Sequence, residues 1–433
     1  MAIFIIRRLI LMAATMLFVS IAVFAITESS PGNLARNVLG AYITDEQEAA
    51  FLAQRGLDQP AYTRYLRWLI GSDWQAEKKS GFQLHRIYLD SGFYEWWAKD
   101  GDGTLLQWRM EGDALIRIKR NPDGSVEESP ATGSWKKDSK GTEYFWGVNT
   151  KNSVVRWERG ADSKTWTMTS GGEWLETSGA PVAYIPLKKG LLRGDPGVSL
   201  RTGRPVIKSL LTRTKNSMIL AGIAFVIVMP LALFLGFVAG LYEGKFRDRL
   251  LSIGGMIFSV TPEFATGIFL ILILGVWLQW VPGAAVIGSD SPLSKPEMLV
   301  LPVLTLTLIE LGYILRITRA SVVETMRSAF IRTAHLKGLP FWVVVAKHAA
   351  RNALLAPITV IMLHVNWLLG GIVIVEVVFG YPGMGQYLLD SALYKDINAL
   401  EAGAMILVTV AVGTQLLADI LYTFLNPRIR YTN

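Results

Sequence analysis

Several polar or ionisable residues lie inside long apolar stretches of this sequence, namely Glu263, Glu310, His364 and Asn366. Burying such a group at the centre of a bilayer costs roughly 2.5–3.5 kcal/mol on insertion scales, so each needs a function or a partner. Two interpretations stay open from the sequence. The four side chains line a path for a polar solute, or they make polar contacts between helices or at the membrane interface.

No motif in the sequence predicts the making or breaking of bonds. There is no phosphate-binding loop of the form G-x-x-x-x-G-K-[ST] and no nucleophile turn of the form G-x-S-x-G. The four histidines are scattered rather than grouped with acidic residues, and the absence of cysteine excludes disulfides, thiolate metal ligands and cysteine nucleophiles. We therefore expect a non-enzymatic protein that binds no metal or cofactor itself.

A basic segment, residues 320–357, lies between two of the apolar stretches and has no acidic residue after position 324. Gly338 and Pro340 predict a turn between a short helix around Arg332 and a second amphipathic piece over 341–350. Short loops rich in Lys and Arg lie on the cytoplasmic side of a membrane. The segment is therefore predicted to be a cytoplasmic docking site.

Apolar runs organise the rest of the chain. A length of 433 residues would allow two or three soluble domains, but several runs approach or exceed the ~18–20 residues that cross a bilayer. Predicted spans, with both termini in the cytoplasm, cover residues 9–26, 218–241, 250–277, 298–315, 354–378 and 400–425. The first is read as a retained span because it is long for a signal peptide and lacks a clear cleavage site. The net charge of +8 fits the membrane-flanking loops and gives no evidence of nucleic acid binding.

Residues 72–193 differ in character from the remainder. They contain nine of the 14 tryptophans and alternate with period two between turn-forming clusters. Strands are predicted over 105–110, 114–119, 143–148, 154–158 and 165–169, with turn residues such as those at 170–172 between them. We expect an antiparallel meander or small sandwich with a tryptophan core, on the outer face because it lies between the first two spans.

The basic segment resembles the "EAA" coupling loop of bacterial ABC-transporter permeases, most closely in the dipeptide/oligopeptide/nickel family. That motif reads I-R-T-A-x-x-K-G-L and then H-x-x-R-N-A, and this chain has Ile-Arg-Thr-Ala at 331–334, Lys-Gly-Leu at 337–339, His348 and Arg-Asn-Ala at 351–353. Further segments similar to the family lie at 31–33, 56–60, 65–69, 192–200, 376–385 and 426–430. The resemblance stops at residue 71 and resumes at 192, which marks residues 72–193 as an insertion.

The resemblance implies an all-α polytopic membrane protein, with the six transmembrane helices of the type I ABC importer permease fold, plus the inserted β-rich domain. The implied division is a first transmembrane helix (1–27), an extracytoplasmic segment (28–71), the insertion (72–193) and a permease core (194–433). That core would hold five spans and the cytoplasmic coupling loop, residues 317–352. The chain would lie in the bacterial inner membrane, with the insertion in the periplasm.

The function implied is that of a B-type permease subunit of a binding-protein-dependent importer for dipeptides or oligopeptides. A second homologous permease, two ABC ATPase subunits and a periplasmic substrate-binding protein would be its partners, with ATP and Mg held by the ATPases. Oligosaccharides, opines and nickel chelates stay open as cargo. From another class, a membrane-anchored envelope sensor is the alternative, although a sensor would not need the coupling loop.

The same resemblance assigns contact with the ATPases to residues of the loop. Small side chains allow close packing, the glycine lets the chain reverse, and the basic side chains can pair with acids of the partner. The residues concerned are Arg332, Thr333, Ala334, Lys337 and Gly338.

The segment over 376–385 resembles the family's E-x-x-F-x-x-P-G-[LM]-G signature at the outer mouth. Pro382, Gly383 and Gly385 would form that mouth, and Glu376 would act there either as a structural gate or in substrate contact. Glu263 and Glu310 depart from the family pattern, so a path of altered selectivity would include them.

Two roles stay open for the insertion. It could receive the substrate-binding protein or cap the external mouth, for which aromatic platforms would serve. Alternatively, it only stabilises the pair of permeases.

Overall fold

A computed structural model describes residues 2–29, 34–40, 42–89, 93–131, 135–168, 173–285 and 291–425. The chain divides into two compact units. The helical unit comprises residues 1–20, 210–390 and 403–433, and the mixed unit comprises residues 21–209 and 391–402. The family-like segments at 31–33 and 426–430 and the predicted turn at 170–172 lie outside the described residues.

The α-helices are α1 (Ala2–Ser29), α2 (Leu34–Leu39), α3 (Asp45–Arg55), α4 (Ala61–Ile70), α5 (Asp73–Ser80), α6 (Val206–Leu241), α7 (Phe246–Val260), α8 (Glu263–Leu270), α9 (Val300–Met326), α10 (Ala329–Leu336), α11 (Phe341–Val343), α12 (Ala350–Ala353), α13 (Leu355–Phe379), α14 (Met384–Leu393) and α15 (Ile397–Leu425). Wider π-helical turns continue α8 over Ile271–Trp277 and α11 over Val344–Ala349. Short 3-10 turns cover Leu191–Arg193, Pro292–Ser294 and Pro296–Leu299.

The strands are β1 (Gln83–Tyr88), β2 (Tyr94–Lys99), β3 (Leu105–Glu111), β4 (Ala114–Arg120), β5 (Val126–Pro130), β6 (Lys136–Lys137), β7 (Glu143–Val148), β8 (Ser153–Glu158), β9 (Lys164–Met168), β10 (Trp174–Ser178) and β11 (Ala183–Pro186). They form an antiparallel meander in the order β1-β2-β3-β4-β5, a sheet in the order β11-β8-β7-β6, and the hairpin β9-β10. The predicted β-rich region is therefore confirmed, and each of the five predicted strands lies within one or two residues of an observed one.

One apolar core joins the two larger sheets of the mixed unit. Trp96 and Trp108 of the meander pack with Phe145 and Trp157 of the second sheet, and all four are at most 7% exposed. The Trp108 and Phe145 rings meet edge to face at 5.3 Å, and Phe145 stacks on Trp157 at 6.1 Å. Such aromatic pairs add to the burial of apolar area, so a domain without disulfides has a tryptophan core, as expected.

The two ends of the β-rich region meet at a neck. The Ser72 hydroxyl donates a hydrogen bond to the Pro186 carbonyl at 2.5 Å and accepts one from the Lys188 backbone N–H at 3.0 Å. The Arg193 guanidinium donates two hydrogen bonds to the Asp73 carboxylate. Gly71 and Gly190 both have positive φ, and a Cβ on Gly71 would lie 2.3 Å from the Lys189 carbonyl oxygen. Only glycine lets the two backbone segments approach this closely.

In the helical unit, α9 is the central helix and packs against α7, α8 and α13. The four-residue spacing of Gly236 and Gly240 predicts a close helix contact, and this prediction is confirmed. A Cβ on Gly236 would lie 2.6 Å from Thr318, and one on Gly240 would lie 2.6 Å from Val322, both on α9. Small residues thus bring α6 and α9 together, as in many membrane-embedded helix pairs.

Four described helices are long and apolar enough to cross a membrane, or up to six if each of two bent pairs counts as one span. The predicted third span, 250–277, corresponds to one of these pairs, because the chain bends by 108° between α7 and α8 at Pro262. Proline lacks the N–H that would continue the helix. The helix that holds the predicted fourth span, 298–315, runs on to Met326, since residues 316–326 include no Gly or Pro.

Candidate functional site

The basic segment folds as the sequence predicts. Helix α9 ends at Met326, α10 follows as a short helix, and Gly338 reverses the chain with a φ of +78°. Pro340 then stands at the start of α11, where its fixed φ and missing N–H are tolerated. The result is a helix–turn–helix between α9 and α13.

Helix α10 packs on the second half of this segment through its inner face. Ile331 and Ala334 are buried against Val344 and Ala349. Ala334 is therefore a packing residue within this chain. Arg332, Thr333, Lys337 and Gly338 are exposed, and so are available to a partner.

Sequence reasoning missed the apolar part of the outer surface. A patch, named here the coupling face, comprises Phe330, Leu336, Leu339, Phe341 and Trp342, which are 36–83% exposed. Leu336 is the most exposed of these, at 83%, and Trp342 follows at 66%. Large apolar side chains beside basic ones form the type of surface that another protein covers. The signal in the sequence was the apolar residues on the polar face of a short basic helix.

Two ion pairs, neither of which was anticipated, join the C-terminal part of α9 to α7 and to the segment before α7. Arg319 binds the buried Asp248 through two nitrogens, the Nη2–Oδ2 distance being 2.8 Å. Asp248 also accepts from the Gly244 backbone and from Ser252. Arg327 binds Glu243 at 2.7 Å. The C-terminal part of α9 is therefore tied to α7 and to the segment that precedes it.

The structure brings two of the intramembrane polar residues together. Glu310 of α9 is 1% exposed, and its Oε2 lies 3.2 Å from Nδ1 of His364 on α13. The His364 ring also lies against Tyr313, at 4.2 Å between ring centroids. This arrangement is a polar contact between two helices. The backbone of Asn366 belongs to α13, and its side chain lies outside the described part.

Glu263 is only half-buried. It is the first residue of α8, and its Oε1 would be 3.0 Å from a Cβ placed on Gly371 of α13. The missing side chain at Gly371 leaves room for the carboxylate. The Glu263 side chain is therefore more exposed than that of Glu310.

Glu376 is enclosed by its own chain. It is fully buried, accepts a hydrogen bond from Ser217 of α6 at 2.5 Å, and accepts another from the Gly385 backbone at 2.6 Å. The Ser217 hydroxyl also accepts from the Met384 N–H at 2.8 Å. This carboxylate anchors the turn over residues 380–385, which favours the structural role over substrate contact.

The glycines of that turn are required by Glu376. A Cβ on Gly383 would lie 2.0 Å from its Oε1, and one on Gly385 would lie 3.0 Å from its Oε2. Asn216 completes the arrangement by donating to the Pro382 carbonyl at 2.9 Å and accepting from the Tyr381 hydroxyl at 2.7 Å. These bonds hold the turn that contains Pro382, Gly383 and Gly385 against α6. The sequence analysis did not identify Asn216 and Ser217 as its partners.

No group of three or more histidine, aspartate or glutamate side chains in the described ranges could hold a metal ion. What the geometry offers is an exposed apolar surface beside basic residues, a turn held by hydrogen bonds, and polar groups between helices.

Two family models match the chain. "Binding-protein-dependent transport system inner membrane component" matches residues 232–431, and the corresponding N-terminal model matches residues 1–80. All of the strands lie between these two matches.

Relatives named as permeases match over most of their own length. A Brucella abortus protein named "Putative peptide transport system permease protein" is 33% identical over 279 residues, which are 64% of this chain and 84% of the relative. A glutathione transport system permease protein of Shigella flexneri is 33% identical over 55% of this chain and 76% of its own. The glutathione transport system permease protein of Pectobacterium atrosepticum is 34% identical over 56% of this chain and 76% of its own length.

A structural match to a solved amino acid ABC transporter covers 51% of this chain and 94% of the transporter chain, with 14% sequence identity and a TM-score of 0.39. The sequence matches cover the N-terminal helix and the segments that carry the coupling loop and the Glu376 turn. The chain belongs to the family of binding-protein-dependent transport system inner membrane components, and it is a permease subunit of an ABC importer of the peptide-transporting type.

Proposed function

We propose that this chain is the B-type permease subunit through which an ABC importer moves dipeptides or oligopeptides. The observation that carries the proposal is the coupling face, an exposed apolar surface on a basic helix–turn–helix. Its relatives are named for peptide and glutathione transport, which supports a peptide cargo over oligosaccharides, opines or nickel chelates. Family membership decides against an envelope sensor.

The chain acts without catalysing a reaction. Two ATPase subunits bind ATP and Mg and hydrolyse the ATP, a second permease forms the other half of the path, and a substrate-binding protein delivers cargo. The ATPases contact Arg332, Thr333, Lys337 and Gly338 together with the coupling face. Ala334 packs α10 against the second half of the coupling loop. A movement of α10 driven by the ATPases is therefore transmitted to α9 and, through the ion pair between Arg319 and Asp248, to α7.

In this proposal α7 with α8 forms one span and α13 forms another, which together with α1, α6, α9 and α15 gives six spans with both termini in the cytoplasm. Residues 72–193 then form a periplasmic insertion in an extracytoplasmic segment that begins at 28. The neck supports these boundaries, because an inserted domain needs neighbouring ends.

The absence of cysteine makes this topology directly testable. Ser139→Cys places one thiol on an exposed turn of the insertion, and Lys337→Cys places one on the coupling loop. A membrane-impermeant maleimide applied to sealed spheroplasts is expected to label the first variant, and to label the second only after permeabilisation. The unaltered chain is the control for background. Labelling in the opposite order would reject the orientation.

Glu263 is the acid proposed to face the cargo path, and Glu310 with His364 is proposed as a helix contact. The difference in burial supports this division, since Glu310 is 1% exposed and Glu263 is half-buried. A carboxylate on the path would attract the positively charged amino terminus of a peptide.

Glu263→Gln is therefore expected to raise the KM for uptake of an unblocked peptide about tenfold, because a charge-assisted hydrogen bond is lost. The melting temperature should not change. Glu297→Gln, which neutralises an exposed acid outside the spans, is the matched control. An unchanged KM, or equal effects of both variants, would remove Glu263 from the path.

A further inference from the structure

The mixed unit contains a cleft that the transport function does not explain. Its volume is about 580 Å³, within the ~300–1,000 Å³ that small-molecule sites occupy. Aromatic side chains form much of its wall: Phe51, Phe93, Tyr94, Trp166 and Trp174. Such a wall stacks well on planar or apolar groups of a ligand.

The charged residues of the cleft all have the same sign. Arg55, Lys151, Lys188 and Arg201 line it, and its lining includes no acidic residue. Over the described residues, none of these four cations forms an ion pair with a carboxylate within 4.0 Å. The lining therefore presents positive charge without a carboxylate of its own beside it.

Local sequence signals place the two central cations. Thr44 and Gln47 cap the start of α3, and Gly56 ends it with a φ of +65°, which puts Arg55 in the last turn. Across the cleft, Asn149 accepts from the backbone of Lys151 and of Ser153, at 3.1 and 2.9 Å. This Asx turn presents Lys151 at its tip, where its ammonium lies 3.3 Å from Thr167 Oγ1.

The electrostatics of the cleft favour an anion. Burial lowers the pKa of Lys151, and the nearby positive charge of Arg55 lowers it further. Burial also lowers the pKa of Lys188 to about 8, although Glu401 opposes the shift. The negative charge of Asp396 raises the pKa of Arg55, but the Asp396 carboxylate already accepts hydrogen bonds from the Ser199 hydroxyl and the Leu200 backbone N–H. A bound carboxylate would supply the missing countercharge.

We propose that this cleft binds a short peptide that presents a carboxylate to Lys151 and Arg55 and an aromatic side chain to the wall at Phe93 and Trp166. The aromatic wall and the size argue for a peptide rather than a bare inorganic anion. The inference narrows the peptide class proposed above to carboxylate-bearing peptides. Binding is measured without ATP or transport, so either proposal can fail while the other stands.

The test uses the purified full-length chain in lipid nanodiscs and isothermal titration calorimetry. The probe is N-acetyl-Phe-Glu, and its neutral counterpart is N-acetyl-Phe-Gln amide. The acidic probe is expected to bind at least tenfold more tightly, and this advantage should shrink as the salt concentration rises. Lys151→Met should abolish the advantage, whereas Lys140→Met, on an exposed turn of the same domain, should preserve it.

A second variant tests the aromatic wall. Phe93 is 38% exposed, so Phe93→Ala should leave the fold intact and weaken both probes by a similar factor. Equal affinity for the two probes, or wild-type affinity in Lys151→Met, would overturn the proposal. Inorganic phosphate that competes as well as the acidic probe would also overturn it, since the site would then recognise an anion alone.

Discussion

Gly383→Ala is expected to abolish uptake by the assembled importer and to destabilise this chain. The added methyl group would lie 2.0 Å from Oε1 of Glu376, far inside contact distance. Either the turn or the carboxylate must move, and the bonds from Ser217 and the Gly385 backbone are lost. Leaving a buried polar group without its hydrogen bonds costs about 1–3 kcal/mol.

The measurement is thermal melting of the purified chain in detergent, followed by uptake in proteoliposomes. Gly222→Ala is the matched control, because a Cβ at that position in α6 meets nothing within 4 Å. The control should keep both its melting temperature and its uptake. If Gly383→Ala behaved like the control, the account of Glu376 as the anchor of this turn would be wrong.

Leu336→Asp is expected to prevent the ATPases from binding. Leu336 is 83% exposed and lies in the coupling face, so the substitution changes the outer surface without disturbing the chain's own core. A carboxylate in the buried centre of an interface is left unpaired and costs several kcal/mol. The new acid would also face Arg332 and Lys337 on the same segment, and would weaken their attraction for acids of a partner.

Copurification of the ATPase subunits with the tagged permease measures this effect. Leu175→Asp is the control, since Leu175 is likewise an exposed leucine but belongs to β10 of the β-rich region. Only the Leu336 variant should lose the ATPases. Full copurification with both variants would mean that the coupling face is not the docking surface.

Local patterns were enough to predict much of the architecture. Period-two alternation and turn residues located β3, β4 and β7, and the spacing of Gly236 and Gly240 predicted a close helix contact without identifying its partner, which is α9. Gly338 and Pro340 likewise marked the turn of the coupling loop. These features depend on residues close together in the chain, where propensity and periodicity act directly.

Long-range partners could not be predicted in the same way. The hydrogen bond between Ser217 and Glu376 joins residues that are 159 positions apart, and no local pattern pairs them. Glu310 of α9 and His364 of α13, which are 54 positions apart, likewise meet only in the fold. The 108° bend at Pro262 could have been anticipated from the proline, but its angle depends on how α8 packs against α9 and α13.

The most direct test of the central claim is ATP-driven peptide uptake in proteoliposomes that contain this chain, its partner permease, the ATPases and the substrate-binding protein. We predict accumulation of a labelled peptide with the wild-type chain and with Leu175→Asp, and none with Leu336→Asp. Uptake that persists in the Leu336→Asp complex at the wild-type rate would contradict the assignment of the loop as the point where ATP hydrolysis drives this permease.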